Sequence, residues 1–290
     1  RASPTTPRPM KGASMFITDC QVHVWEANTP ERPWPTPLAK SHKNRASFTK
    51  EDLLAEMDAA GVSRAILVPP SWQGDSNDTV IAAARAHPDR FAVMGRIDTD
   101  DASNTEVVEN LKERTGMKGL RLTYATGEAF STPQNEWLWA AAEKGDVTIA
   151  IAARSEMLPE VKAVAARYPG IKFAIDHFAV VRGKMDDAAF ADIPMLLDLA
   201  DVSNVSVKVS ALPCYSTEEY PYRGLHKYVR QVYDKFGPER MFWGADVTRS
   251  PCTYSQTIAV FTEEMDWLSE GDKELIMGKA VCNWLGWPLP

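Results

Sequence analysis

The chain has 290 residues, 44% of them hydrophobic and 24% charged, with a formal net charge of −7. This composition is typical of a soluble globular protein and excludes collagen-like and intrinsically disordered classes. The negative charge, with Lys and Arg scattered along the chain, also argues against nucleic acid as a partner.

The first 14 residues, RASPTTPRPMKGAS, contain no apolar run. We interpret them as either a disordered tail or a segment appended to the natural chain, and we expect a single domain over residues 15–290. No apolar run approaches the roughly 20 residues that a membrane span needs. Four widely spaced cysteines without a CxxC pair favour a reducing, cytoplasmic location. They are Cys20, Cys214, Cys252 and Cys282.

Short apolar runs that favour β-strands recur at regular intervals along the chain. The eight runs are MFITD (15–19), RAILVPP (64–70), FAVMGRID (91–98), MKGLRLTY (117–124), DVTIAIAA (146–153), IKFAIDH (171–177), NVSVKVSA (204–211) and RMFWGAD (240–246). Most are continuous apolar segments, as in parallel strands that are buried on both faces. They therefore predict a buried parallel sheet.

Segments that favour helices lie between these runs. The clearest follows the capping residue Thr49 and stops at Gly61. Eight alternating strand and helix units predict an α/β fold, the single-domain (β/α)8 TIM barrel. A doubly wound open sheet would carry a Gly-rich loop after its first strand, and DCQVHVW is not one. The Pro-rich segment 27–47 is long enough to be a lid over the barrel, although an ordinary surface loop fits equally.

Polar residues at the C-terminal ends of barrel strands converge on one mouth, where the active site of this fold lies. By this rule we expect a group of side chains to face one another there. The group is Gln21, His23, Ser71, Trp72, Arg121, Tyr124, Arg154, His177, Lys208, Tyr215 and Asp246. The other histidines, His42, His87 and His226, are interpreted as ordinary surface residues.

Four motifs in order resemble the amidohydrolase superfamily, and within it the branch of 2-pyrone-4,6-dicarboxylate hydrolases and lactonases. They are Asp-x-Gln-x-His after the first strand, IDHFA at the sixth, VKVSALPCY at the seventh and RMFWGADVTR at the eighth. The resemblance extends from Met15 to Pro290. It implies a distorted (β/α)8 barrel and a hydrolase or decarboxylase that acts on small organic acids.

The site departs from its metal-binding relatives at three positions: after the first strand, at the fourth strand, where Arg121 lies near the place of a Lys or Glu, and at the end of the fifth strand, which has no His. Those relatives carry His-x-His after the first strand, whereas this chain has Gln21 before His23. An amide oxygen is a poor zinc ligand, and His23, His177 and Asp246 are the ligands that remain. We therefore predict a hydrolase without a metal cofactor. The alternative is a site with one divalent ion such as Zn or Mn, held by these three residues.

Without a metal, a carboxylate must take a proton from the attacking water. We assign Asp246 as this general base, with His23 and His177 as donors that stabilise the oxyanion. An activated ester fits this chemistry, so the predicted substrate is a small anionic lactone or pyrone carboxylate. Arg121 is the strongest candidate for binding a carboxylate, because a planar guanidinium matches it with two hydrogen bonds. Further candidates for substrate contact are Gln21, Ser71, Tyr124, Arg154, Lys208, Tyr215 and Arg249.

Alternatives remain open at this stage. Asp246 can instead cap a turn, His23 and His177 can be buried structural histidines, and Arg121 or Lys208 can form structural ion pairs. Two other functions also fit the motifs: a metal-dependent hydrolase or aromatic-acid decarboxylase, and a barrel that binds a ligand without chemistry. The sequence leaves open whether the chain forms a homo-oligomer.

Overall fold

The computed structural model describes residues 15–39, 42, 45–124 and 130–290, so the interpretation of residues 1–14 lies outside the described residues. Eight parallel strands form one sheet in chain order, which confirms the predicted α/β barrel. The strands are β1 (Thr18–Val22), β2 (Arg64–Leu67), β3 (Phe91–Gly95), β4 (Gly119–Leu122), β5 (Thr148–Ile151), β6 (Phe173–Ile175), β7 (Val205–Ser210) and β8 (Met241–Gly244).

The prediction for β1 is wrong by three residues. The strand was expected over residues 15–19, but it spans Thr18–Val22, so Gln21 lies inside it and is fully buried. Residues 20–22 were not predicted as strand because the segment contains polar residues. Those polar residues have partners elsewhere in the barrel, which the local sequence does not show. His23 follows the strand, as expected.

Helices surround the sheet. Those described are α1 (Lys50–Ala60), α2 (Asp78–Ala86), α3 (Thr105–Glu109), α4 (Leu111–Thr115), α5 (Glu136–Lys144), α6 (Leu158–Arg167), α7 (Asp186–Ala189), α8 (Ile193–Leu197), α9 (His226–Phe236), α10 (Tyr254–Ala259), α11 (Glu270–Glu274) and α12 (Ala280–Leu285). Thr49 caps α1 with Asp52 in a reciprocal pair of hydrogen bonds, and Gly61 ends it with φ 77°. No helix among the described residues is both long and apolar enough to cross a bilayer.

The barrel closes where β8 meets β1. The Asp246 amide donates to Gln21 O at 3.1 Å, and the buried Asp19 carboxylate accepts from the Ala245 amide at 3.1 Å. Gly244 permits this approach, because a Cβ there would lie 2.9 Å from Cys20 Sγ. The seam therefore brings the end of β1 beside the end of β8 at the mouth.

The apolar core has two parts. A large cluster includes the apolar residues of most helices, and a second cluster combines strand residues of different sizes, such as Ala150, Ala174 and Phe242, with residues of α12. Trp284 of α12 packs against Phe242 with ring centroids 5.4 Å apart. Strand interiors are thus filled with side chains, which leaves the mouth as the place for chemistry.

Candidate active site

Asp246 and His177 stand in a strained backbone conformation at the mouth. Their φ values are 46° and 52°, and Phe178 and Ala179 after His177 also have positive φ. Left-handed geometry is unfavourable for residues with a Cβ and clusters at functional sites. Here it turns the chain sharply after β6 and β8, at the end of the barrel where both side chains lie.

The Asp246 carboxylate lies between two imidazoles. Its Oδ1 is 3.9 Å from His23 Nε2, and its Oδ2 is 4.0 Å from His177 Nε2. Oδ2 also accepts from Arg249 Nη1 at 3.2 Å, whereas Oδ1 is buried without a hydrogen-bond partner among the described residues. Burial acts to raise the pKa of Asp246, but the charges of His23, Arg249 and His177 outweigh it and lower the pKa below its ordinary value.

Both imidazoles present a lone pair to this carboxylate. His23 Nδ1 lies 2.8 Å from the carbonyl oxygen of Val68, which can only accept, so we assign the proton to Nδ1. His177 Nδ1 lies 2.8 Å from Ser210 Oγ and 3.2 Å from Ser210 O, which favours the same tautomer. Burial lowers the pKa of His23, and it lowers that of His177 to about 4, so the two rings carry charge only at the acidic pH where Asp246 itself titrates, and at pH 7 Arg249 is the cation beside Asp246.

A second charged cluster lies deeper in the barrel. Asp176 binds Arg121 Nε through Oδ2 at 3.0 Å and Lys208 Nζ through Oδ1 at 3.0 Å. Lys208 is fully buried and also donates to Gln21 Oε1 at 2.9 Å. Burial acts to raise the pKa of Asp176, but Lys208 and Arg121 hold it well below its usual range. The sequence analysis missed Asp176, although it directly precedes His177 in the IDHFA motif.

Lys208 determines how the Gln21 amide is turned. Because Gln21 Oε1 accepts from Lys208, its amino group points to His23 Nε2 at 3.4 Å. The amide oxygen, its one possible metal-binding atom, therefore faces the ammonium group. Lys208 forms a buried ion pair with Asp176, which is one of the alternatives given above. Its influence on the mouth is indirect, because it orients the Gln21 amide.

Arg249 and Tyr215 are brought to Asp246 as predicted. Arg249 donates to the Tyr215 hydroxyl at 3.3 Å while it holds Asp246, and its guanidinium lies over the Tyr215 ring. Arg121 is already bound by Asp176 and donates to Thr123 Oγ1 at 3.1 Å. Arg154 pairs with Glu156 at 3.1 Å.

Two residues predicted to contact substrate, Ser71 and Tyr124, form no hydrogen bond or ion pair with Asp246 in the described part of the chain. Ser71 is exposed on a short helical turn after β2. Tyr124 packs edge-on against Phe130, and its hydroxyl is buried. A polar cavity of about 170 Å³ opens next to Arg121, and its lining includes Arg96, Asp98 and Thr99.

Two mouth residues were missed by the sequence analysis. Arg182, after β6, has no ion-pair partner among the described residues, and partial burial and the like charges of Arg121, Arg154 and Arg249 lower its pKa. His42, interpreted as a surface residue, lies 5.3 Å from His23 between ring centroids and 4.8 Å from Trp72. Segment 27–47 thus contributes to the mouth through His42, and nothing in its local sequence indicated that.

The candidate ligand atoms of the mouth suit a metal ion poorly. His23, His177 and Asp246 provide two imidazole nitrogens and a carboxylate, but Gln21 directs a donor group at His23 Nε2 and Arg249 holds Asp246. No cluster of three His, Cys, Asp or Glu residues with metal-binding geometry occurs within the described ranges. A metal cation would have to displace the Gln21 amino group from His23 and Arg249 from Asp246, and nearby positive charges would repel it.

Comparison with known proteins identifies the family. The amidohydrolase family profile matches residues 18–280. L-fucono-1,5-lactonase of Burkholderia ambifaria is 25% identical over 240 residues, which cover 80% of each chain. A probable 2-pyrone-4,6-dicarboxylic acid hydrolase from Acinetobacter baumannii with citric acid bound is 20% identical, with a TM-score of 0.78 over 94% of this chain and 100% of that one. A Burkholderia multivorans amidohydrolase with bound zinc is 19% identical, with a TM-score of 0.79 over the same shares. The chain is therefore an enzyme of the amidohydrolase family, the family that its motifs predict.

Proposed function

We propose that the protein is a hydrolase that opens the ring of a small anionic lactone or pyrone carboxylate, with Asp246 as general base and without a metal cofactor. The observation that carries this proposal is the buried Asp246 carboxylate, whose Oδ1 has no hydrogen-bond partner within the described residues and lies 3.9 Å from His23 Nε2, while its Oδ2 lies 4.0 Å from His177 Nε2. A buried acceptor of this kind requires a partner, and a reacting water molecule is one.

The geometry suits a bridging water. The distances of 3.9 and 4.0 Å between Asp246 and the imidazole nitrogens are too long for direct hydrogen bonds but are spanned by one water molecule. Asp246 Oδ1 accepts one hydrogen of that water, and the other goes to an imidazole Nε2; at His23 it shares the single lone pair with the Gln21 amino group. Its lone pair is then free to attack a carbonyl carbon.

The proposed reaction has two steps. Water oxygen bonds to the ring carbonyl carbon while Asp246 takes a water proton, and the carbonyl electron pair moves onto oxygen. Collapse breaks the bond to the ring oxygen, which receives the proton from Asp246. General-base help contributes about 10²- to 10⁴-fold, so the substrate must itself carry a good leaving group, as an enol ester or strained lactone does.

The charges of the mouth support an anionic substrate. The guanidinium groups of Arg121, Arg182 and Arg249 lie close enough to affect one another, in a chain of net charge −7. The cavity beside Arg121 adds donors and acceptors for further polar groups of the ligand. Relatives named as a lactonase and as a probable pyrone-dicarboxylic acid hydrolase, the latter with citric acid bound, fit this class.

One observation favours the metal-dependent alternative. His23 and His177 anchor their Nδ1 protons on Val68 O and on Ser210, an arrangement common among metal-binding histidines. His23, His177 and Asp246 would hold the ion, which would supply an activated hydroxide at neutral pH. The directed amino group of Gln21 and the Asp246–Arg249 pair argue against this alternative.

The test is a substrate panel with chelator and metal analysis. Purified protein is assayed by proton release with 1,5-lactones of sugar acids and with pyrone carboxylates, before and after EDTA treatment. We expect turnover that EDTA does not change and metal far below one ion per chain. Activity lost to EDTA and restored by Zn or Mn would support the alternative, as would CO2 release from hydroxybenzoates. Binding without turnover would favour a non-catalytic barrel.

A further inference from the structure

The proposed reaction needs hydrogen-bond donors for the oxyanion, and the residues first assigned that role do not supply them. His23 and His177 present lone pairs to the mouth, because their Nδ1 protons are held by Val68 O and Ser210. Gln21 directs its amino group at His23. The Nη1 and Nη2 groups of Arg249 are held by Asp246 and Tyr215. Arg249 Nε is a buried donor without a partner among the described residues, and a second donor can come from another element.

His42 is in a position to provide one. Its ring lies edge-on to His23 and Trp72, with centroid distances of 5.3 and 4.8 Å. It reaches the mouth from the segment after β1, whereas the other two imidazoles come from strand ends. Trp25, at the start of that segment, is bridged to Phe48 at its end by backbone hydrogen bonds of 2.8 and 2.9 Å.

The tautomer of His42 follows from Thr248. His42 Nδ1 lies 2.8 Å from Thr248 Oγ1, and Thr248 is 2% exposed. Within the described residues the structure shows no other acceptor for this hydroxyl proton, and a buried hydroxyl that cannot donate is costly. Thr248 therefore donates to Nδ1, and the proton of a neutral His42 is on Nε2. Nε2 has no partner among the described residues, so its N–H is available to a ligand.

We propose, on the basis of the function proposed above, that His42 is a catalytic residue whose Nε2–H stabilises the oxyanion formed when water attacks the substrate carbonyl. Thr248 is a positioning residue that fixes the tautomer. The mouth then contains two opposed sets of groups. Asp246 accepts a hydrogen from water beside the lone pairs of His23 and His177, and His42 donates to the oxygen that becomes negative.

The kinetic test uses four variants and the substrate found in the panel above. Removal of one oxyanion donor costs about 10²- to 10³-fold in kcat, so we expect this loss in His42→Ala with little change in KM. His42→Gln, whose amide nitrogen replaces Nε2–H, should recover much of it. Thr248→Val should lower kcat less, by roughly tenfold. His87→Ala is the matched control, because His87 contacts Phe91 at the start of β3, away from the mouth.

A spectroscopic readout makes the test independent of turnover. Long-range ¹H–¹⁵N spectra of histidine-labelled protein report which ring nitrogen carries the proton. We expect the Nε2–H form for His42 in the wild type and its loss or mixing in Thr248→Val, with Thr248→Ser retaining it. An Nδ1–H tautomer in the wild type would overturn the inference.

The outcomes separate this inference from the proposed function. If wild-type protein hydrolyses a lactone and His42→Ala keeps wild-type kcat, the role of His42 is wrong and the function stands. If no lactone or pyrone is hydrolysed, the proposed function fails and the catalytic role of His42 fails with it, whereas the tautomer spectra still decide the assignment to Thr248.

Discussion

Two buried carboxylates at the same end of the barrel differ in how fully they are bound. Asp176 has a cation 3.0 Å from each oxygen, Arg121 at Oδ2 and Lys208 at Oδ1, whereas Asp246 has a single Arg or Lys partner, Arg249 at Oδ2, within the described structure. A carboxylate with a cation beside each oxygen can hold side chains in place but has little capacity left for a ligand. Asp246 retains that capacity, and this difference separates the structural cluster from the chemical one.

The largest expected effect comes from Asp246→Asn. The amide cannot accept the water proton, so kcat should fall by about 10²- to 10⁴-fold. The far-UV circular dichroism spectrum and the unfolding midpoint should stay close to those of the wild type, and binding of a substrate analogue should persist. Turnover at the wild-type rate would show that the base is elsewhere.

Asp176→Asn should affect the fold instead. It leaves the ammonium of Lys208 buried without its carboxylate, and breaking a buried pair costs about 3–5 kcal/mol. Urea titration should therefore show this loss in the free energy of unfolding. The double variant Asp176→Asn/Lys208→Met removes both charges and should recover part of it. A single variant as stable as the wild type would contradict the structural role of the cluster.

Asp19 offers a third case, a carboxylate that is buried without a cation of its own. Burial raises its pKa to about 7, although three hydrogen bonds act to lower the pKa. These come from the Gln21 and Ala245 amides and the Tyr254 hydroxyl. The folded state then binds this proton more tightly than the unfolded state, whose value is 3.8.

The sign of this pH effect is opposite to that of a salt-bridged carboxylate. The Asp19 contribution to the free energy of unfolding is complete below about pH 4 and declines until about pH 7, by up to about 4 kcal/mol. Unfolding measured at pH 4 to 8 should show this decline, and Asp19→Asn should lack this component. Identical pH profiles for the two proteins would rule it out.

The smallest expected effect concerns Ser210, which links the two clusters. Its hydroxyl lies 2.8 Å from His177 Nδ1 and donates to Lys208 O at 3.5 Å. Ser210→Ala leaves the Ser210 carbonyl as the partner of His177, so we expect a loss of about fivefold in kcat, equivalent to one hydrogen bond of about 1 kcal/mol. Unfolding free energy should change little. A loss as large as that of Asp246→Asn would show that His177 orientation depends on the hydroxyl.

The sequence by itself determined the barrel and the family, because strand periodicity and the four motifs are local patterns. It also predicted that Asp246, His23 and His177 lie close together, since residues at strand ends converge at the mouth of this fold. The predicted bounds of β1 lie three residues too early, because Asp19 and Gln21 are polar residues whose partners lie on other elements.

Tertiary structure alone decided which side chains meet. Lys208 and Gln21 are 187 residues apart, and His42 and Thr248 are 206 apart, so no local pattern relates them. These contacts set the direction of the Gln21 amide and the tautomers of the histidines. A proton position depends on the partner at hydrogen-bond distance, and closure of the barrel is what supplies that partner.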